Sequence, residues 1–138
     1  FRRVLFRSDI FIFEAAGHYF GIEARYIYRI ADGVVIVPVP LMPSCYEGLI
    51  YYRGDLFDVV DMGRLMENEV STLHDDPYII LLKWNAGKLG LIPDRVVGMK
   101  WVEDNGGAGT VFNERGDMVK LMTPDGIWQK LAGLAYGT

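Results

Sequence analysis

A chain of 138 residues, 51% hydrophobic and 23% charged, has the make-up of one ordinary globular domain, long enough to bury about two-thirds of its unfolded surface. No apolar run approaches the roughly 18 residues of a membrane span, no secretory core region is visible, and the single Cys45 excludes an internal disulfide framework, so a cytosolic, reduced setting is the default. A formal net charge of −4 without a basic stripe argues against a nucleic-acid backbone as partner.

Residues 1–8, Phe-Arg-Arg-Val-Leu-Phe-Arg-Ser, read back as codons that resemble a short-read sequencing adapter. They are expected to be an artefact that adds nothing to the fold, with the true chain beginning upstream of Asp9. Without Arg2, Arg3 and Arg7 the 14 basic residues become 11 against 18 acidic, a net charge of −7.

Ile10-Phe11-Ile12-Phe13 and Tyr19-Phe20-Gly21-Ile22 predict a hairpin across the turn Ala15 to His18. Glu23 to Ile30 fits a helical turn or a continuing strand equally well. Val34 to Val37 is dense in β-branched residues and closed by Pro38 and Pro40, which predicts a strand ending in a rigid turn. Asp55 to Val60 predicts a strand and Met62 to Met66 a short helical turn. The polar, unpatterned stretch 67–77 is the expected connection between two lobes, one over about 10–66 and one over about 78–131.

The second half repeats this grammar. Tyr78 to Trp84 and Lys88 to Ile92 flank Asn85-Ala86-Gly87, a Gly-containing hairpin turn. Val96 to Val102 is a strand, Asp104 to Gly107 a loop, and Thr110 to Phe112 pairs with Met118 to Met122. Thr123-Pro124-Asp125 is a helix start, with Thr as N-cap, Pro at the first position and Asp at the positive dipole end. Ile127, Leu131 and Leu134 share one face of that helix, with Gly133 near its stop. Two short matches link the halves: Arg115-Gly116-Asp117 stands 62 positions after Arg53-Gly54-Asp55, and Gly90-Leu91 stands 69 after Gly21-Ile22. About ten short strands and two short helices predict an all-β, barrel-like fold.

No catalytic constellation assembles from these residues. The Arg-Gly-Asp triplets fall where turns want Gly and Asp. Gly106-Gly107-Ala108-Gly109 lacks the Lys-Ser/Thr and the helix of a phosphate loop. His18 and His74 are lone residues on polar turns, so no metal site is expected. Cys45 is read as a partly buried small residue. Asp55, Asp58 and Asp61 do not share a strand face as an acid–base pair would, and Asp61 is read as a helix cap. Phe11, Phe13, Tyr19, Tyr26, Tyr51, Trp84 and Trp101 are assigned to the core. For Arg53, beside a Gly at a turn, two readings stand: the guanidinium satisfies local carbonyls, or it is presented for a fork-like contact with a partner.

The hairpin reaching Gly21-Ile22, then Tyr26-Ile27-Tyr28-Arg29-Ile30, Val37-Pro38-Val39-Pro40, Gly48-Leu49-Ile50-Tyr51-Tyr52-Arg53-Gly54 and Val59-Val60-Asp61-Met62 together resemble the CheW-like chemotaxis coupling domain. Gly90-Leu91-Ile92-Pro93-Asp94-Arg95-Val96 resembles that family's second-lobe signature, and Leu121 to Leu131 its closing strand and helix. The resemblance covers Ile10 to about Leu131. It implies two intertwined five-stranded SH3-like barrels with short helices and no catalytic activity or cofactor. It implies a cytoplasmic adaptor, a scaffold in two-component chemotaxis signal transduction. Its partners would be a chemoreceptor cytoplasmic tip and a histidine kinase regulatory domain, held in membrane-attached receptor arrays without membrane insertion. Positions matching Ile27, Gly48 and Arg53 would lie at the receptor-docking groove, with Ile27, Val37 and Leu49 as apolar anchors.

The chain departs from the pattern at Arg29, where the family usually has Glu, at Asp58 for Pro and at Met62 for Leu; its second connection is shorter, and the usual Gly-Val approach near Gly109-Thr110 is not recognisable. Alternative readings are the CheW-like regulatory domain of the kinase itself, a domain of a pilus-motility system, or a small-barrel ligand-binding domain.

Overall fold

The computed structural model describes the backbone of residues 7–67, 78–103, 110–112 and 115–135, and side chains over 9–66, 78–100 and 115–134. Strands β1 (Arg7–Ala15) and β2 (His18–Glu23) pair antiparallel with Ala15 opposite His18, so Ala16 and Gly17 form a two-residue turn. Both have positive φ, 50° and 77°, as a type I′ turn requires for its twist to match the flanking strands. Asp94 ties this turn down from the second half: its Oδ2 accepts from the Ala16 N–H at 2.9 Å, while its own N–H donates to the Glu14 carbonyl at 2.8 Å. Strand β1 starts at Arg7. The last two residues of the adapter-like segment therefore stand in the ladder, opposite Glu103 and Val102, and residues 1–6 lie outside the described chain.

The ambiguous stretch after β2 resolves into both alternatives: a single 3₁₀ turn over Ala24–Tyr26, then strand β3 (Ile27–Ala31). The strand expected over Val34 to Val37 does not form. Among these residues Val37 alone bridges to a neighbouring strand, while Val34 and Ile36 pack against a buried cluster around Ile50 and Phe57. Val34 and Ile36 are half-buried beside the sheet without joining its ladder, Val35 is exposed, and Pro38 lacks the N–H that would extend the pairing.

Strands β4 (Tyr46–Tyr52) and β5 (Asp55–Asp61) follow, then helix α1 (Met62–Glu67), capped by the Asp61 carboxylate, which accepts from the Arg64 N–H at 3.1 Å. The expected connection lies largely outside the described residues. The second half supplies β6 (Ile79–Trp84), β7 (Gly87–Ile92), β8 (Arg95–Glu103), β9 (Thr110–Phe112) and β10 (Met118–Met122). The loop expected at Asp104 to Gly107 is again outside them. Helix α2 (Pro124–Ala135) starts as read, with Thr123 Oγ1 accepting from the Gly126 N–H at 3.0 Å. It runs through Gly133 instead of stopping there. Ile127 and Leu131 are buried, whereas Leu134 is exposed because the helix has by then passed the end of the core.

The ten strands form two five-stranded sheets with orders β8-β1-β2-β10-β9 and β3-β6-β7-β5-β4. Replacing β1–β5 by β6–β10, and the reverse, turns the first order into the second. Each half thus donates its leading hairpin to the sheet built from the other half's last three strands, and the two barrels are intertwined. This exchange explains why Ile10 to Phe13 and Ile79 to Leu82 read as unbroken apolar runs. Ile10 and Ile12 face the interior of one barrel, and Ile79 and Leu81 that of the other. Phe11, Phe13, Ile80 and Leu82 face a core shared by both sheets and sealed by Met62 and Leu65 of α1 and Ile127 and Leu131 of α2. Strands buried on both faces lose the usual polar alternation.

A candidate docking face at the β4 edge

Strand β4 ends the order of its sheet, and its outer side is where four of the five expected binding residues fall. Val37 and Leu49 exchange backbone hydrogen bonds, each N–H donating to the other's carbonyl at 2.8 Å. Gly48 makes this approach possible. Its φ is +143°, and a Cβ there would stand 2.2 Å from the Val37 carbonyl oxygen, so no side chain fits. Ile27 is placed differently: it pairs with Leu82 and packs, half-buried, against the shared core, while its neighbour Tyr28 reaches across to β4.

Alternation along β4 sends Ile50 and Tyr52 into the barrel and turns Leu49 and Tyr51 outward. Tyr51, assigned to the core from sequence, is instead 70% exposed. It stands opposite Leu56, which is also exposed, and Leu49 stands opposite Asp58. Val37, bridged to Leu49, is exposed too, so this side of β4 and β5 carries a run of apolar groups open to solvent; Val35 and Leu41, in the segment that carries Val37, are also exposed. The continuous apolar lettering Leu49 to Tyr52 hid the exposure of Tyr51, although the period of two through Ile50 was the signal that could have found it. Phe11 and Phe13 are buried and Tyr19, Tyr26 and Trp84 half-buried, as read; the side chain of Trp101 lies outside the described residues, as does His74.

Arg53 occupies the first position of the two-residue β4–β5 turn, with Tyr52 opposite Asp55. Its φ of 50°, with 89° at Gly54, marks another I′ turn, where Asn or Gly is the usual first residue. Its guanidinium carbon lies 5.5 Å from the centroid of the Tyr52 ring. Among the described residues no carboxylate pairs with it and no local carbonyl accepts from it, which favours the presented over the self-satisfying reading. The nearby acids have other partners: Asp55 bridges Lys88 at 3.0 Å and Lys83 at 3.1 Å, and Asp58 accepts from the Tyr46 hydroxyl at 2.6 Å. The two lysine hydrogen bonds, Lys88 first, hold the Asp55 carboxyl below its ordinary range. Burial pushes the Cys45 thiol up, away from the thiolate a nucleophile needs. Among the described residues no group of three His, Cys, Asp or Glu side chains is placed to hold a metal ion, and no helix is long and apolar enough to cross a membrane.

Against known families, the model of the CheW-like domain matches residues 9–123. The chain belongs to the CheW-like domain family. Among solved structures it is similar to the scaffolding protein TtCheW from Thermoanaerobacter tengcongensis, with a TM-score of 0.74 at 21% identity, covering 84% of this chain and 88% of that one. At that identity the likeness concerns the fold, and it agrees with the two intertwined barrels. No curated protein sequence matches the chain. Of the positions expected to depart from the family pattern, Arg29 is exposed on β3 and Asp58 is half-buried on the outer face of β5, the face that also carries Leu56.

Proposed function

We propose that this CheW-like domain is a non-enzymatic adaptor that couples chemoreceptors to a histidine kinase in the cytoplasm, at membrane-attached receptor arrays. The receptor's cytoplasmic hairpin docks along the β4 edge, with Val37 and Leu49 as apolar contacts, Gly48 permitting their close approach, Ile27 bordering the site from β3, and Arg53 at its end. A second surface takes the kinase regulatory domain. Family membership over most of the chain supports a chemotaxis scaffold role. The observation that carries the docking site is the exposed apolar edge ending in an arginine without a carboxylate partner among the described residues. An amphipathic helix offers such an edge an apolar stripe to cover it and a carboxylate to meet the guanidinium.

The test is calorimetric titration of the protein with a hairpin peptide from the cytoplasmic tip of a chemoreceptor of the same genome. Arg53→Ala is expected to weaken binding by about 1 kcal/mol or more with an unchanged fold. Loss of stability with undiminished affinity of the remaining folded protein would assign Arg53 to its own turn instead.

A further inference from the structure

Strands β3 and β4 stand at opposite ends of the order β3-β6-β7-β5-β4. Four inter-strand steps in a flat sheet would separate them by about 19 Å. Yet the rings of Tyr28 on β3 and Tyr52 on β4 have centroids 6.3 Å apart, edge to face at 86°. The sheet is therefore curled until its edges meet, and at this seam side chains make the closure.

Those side chains form a continuous chain of contacts. Tyr28 stacks on buried Phe57, with centroids 6.0 Å apart and 23° between the planes, which sets its ring plane. The ammonium of Lys83, on β6, lies 5.1 Å from the Tyr28 centroid and 3.1 Å from Asp55 Oδ2, while Lys88, on β7, holds Asp55 Oδ1 at 3.0 Å. Tyr28 meets the Tyr52 ring, and Arg53 lies over that ring. Asp55 is opposite Tyr52 in the ladder, so the two branches from Tyr28 rejoin beside the β4–β5 turn.

We infer that Tyr28, Lys83 and Asp55 are positioning residues for Arg53: a clasp of two tyrosine rings, an ammonium and a carboxylate closes the β3–β4 seam and fixes the guanidinium over Tyr52. The inference rests on the docking reading of Arg53 for its functional meaning, but its geometry does not. Two consequences follow from the chemistry. The ring pair supplies a shelf that lowers the entropy Arg53 loses on docking. And both oxygens of Asp55, the acid nearest to Arg53 in sequence, are engaged by lysines, which leaves the guanidinium open to a partner carboxylate.

The experiment has two readouts on the full chain. In the free protein, the Arg53 Nε–Hε NMR resonance and its ¹⁵N relaxation report how firmly the guanidinium is held. Lys83→Met, which leaves the Tyr28–Phe57 stack in place, and Tyr28→Ala are expected to move that resonance and raise its mobility, whereas Lys83→Arg and Tyr28→Phe restore it. In titrations with the receptor-tip hairpin peptide, Lys83→Met should weaken binding about two- to fivefold, the scale of an exposed cation–π contact, and should have no further effect in the Arg53→Ala background. An Arg53 resonance indifferent to Lys83→Met would overturn the inference, as would additive losses in the double variant. A resonance that responds while Arg53→Ala leaves affinity intact would retain the clasp and reject the docking reading.

Discussion

Val59 stands beside Gly90 across the parallel β5–β7 pairing at the register where Leu121 stands beside Gly21 across β10–β2. Leu121 follows Val59 by the same 62 positions that separate Arg115 from Arg53, and Gly90 follows Gly21 by 69. The correspondence extends to irregularities. Tyr28 is skipped where β3 pairs with β6, and Val97, again 69 positions on, is skipped where β8 pairs with β1. Arg53 and Arg115 fall on equivalent connections, β4–β5 and β9–β10. One three-residue and one two-residue match in the sequence thus reported a duplicated fold.

The two glycines are equivalent in place but not in room. A Cβ on Gly21 would lie 2.6 Å from Ile10 Cγ2 and 3.2 Å from atoms of Leu121 and Val119, whereas on Gly90 the nearest atom, Val59 Cγ2, would be 3.2 Å away. Gly21→Ala is expected to cost about 1–3 kcal/mol, the range of overpacking a well-filled core, and Gly90→Ala distinctly less. Urea unfolding of the two variants measures the difference, and equal losses would show that the barrels relax alike.

What the sequence made legible was the order of elements, because each hairpin carries its own turn chemistry and α2 its own cap. The site was legible only in part. Val37, Gly48, Leu49 and Arg53 sit at one edge, but the contact that joins Val37 to Leu49 spans an irregular segment whose valines read as a strand. The contact of Tyr28 with Tyr52, the ring beside Arg53, was invisible, since it depends on the closure of a barrel whose edge strands are not hydrogen-bonded to each other. Exposure of Tyr51 and Leu134 likewise depends on where the core ends, which local periodicity does not encode.

Gly48→Ala tests the architecture of the proposed docking edge. At a φ of +143°, with the Val37 carbonyl in the path of a new methyl group, both backbone strain and overlap oppose the substitution. The expected loss is at least about 2 kcal/mol, combining a strained residue with an overpacked contact. Amide exchange at Leu49, whose N–H donates to Val37, should accelerate more than exchange in β6, in the middle of the sheet. Unchanged protection at Leu49 would mean that the segment carrying Val37 shifts as a unit to accommodate the methyl.

Asp55 gives the fold an acid-sensitive component. Lys88 and Lys83 hold its folded carboxyl below the unfolded Asp value of about 3.9. The stabilisation is therefore fully present above that unfolded value and is lost as pH falls through the lowered folded value. Asp55→Asn should be less stable than the parent near neutrality, and the gap should close as the pH is taken below about 4. Because the pairs are partly exposed, added salt should narrow the gap as well. A gap that persists at low pH would mean that the asparagine disturbs packing rather than charge.

Arg53→Asn separates what the turn wants from what the surface does. In a type I′ turn the first residue has positive φ, which Asn adopts readily and Arg does not, and a non-glycine residue held there carries about 1 kcal/mol or more of strain. The arginine's contact with Tyr52, at 5.5 Å and exposed to solvent, returns about 0.5–1 kcal/mol. The two terms nearly cancel, so Asn is expected to leave the folding free energy unchanged or raise it by a few tenths of a kcal/mol, in contrast to the loss that follows removal of a structural residue. Binding to the receptor-tip peptide should nonetheless fall to the level of Arg53→Ala, since Asn keeps the turn and discards the guanidinium. A variant whose stability holds while docking fails places the arginine at this strained position for its partner. A variant that binds as well as the parent would reduce Arg53 to a tolerated turn residue and move the search for the receptor contact to Tyr51 and Leu56, the exposed pair one step away along the same two strands.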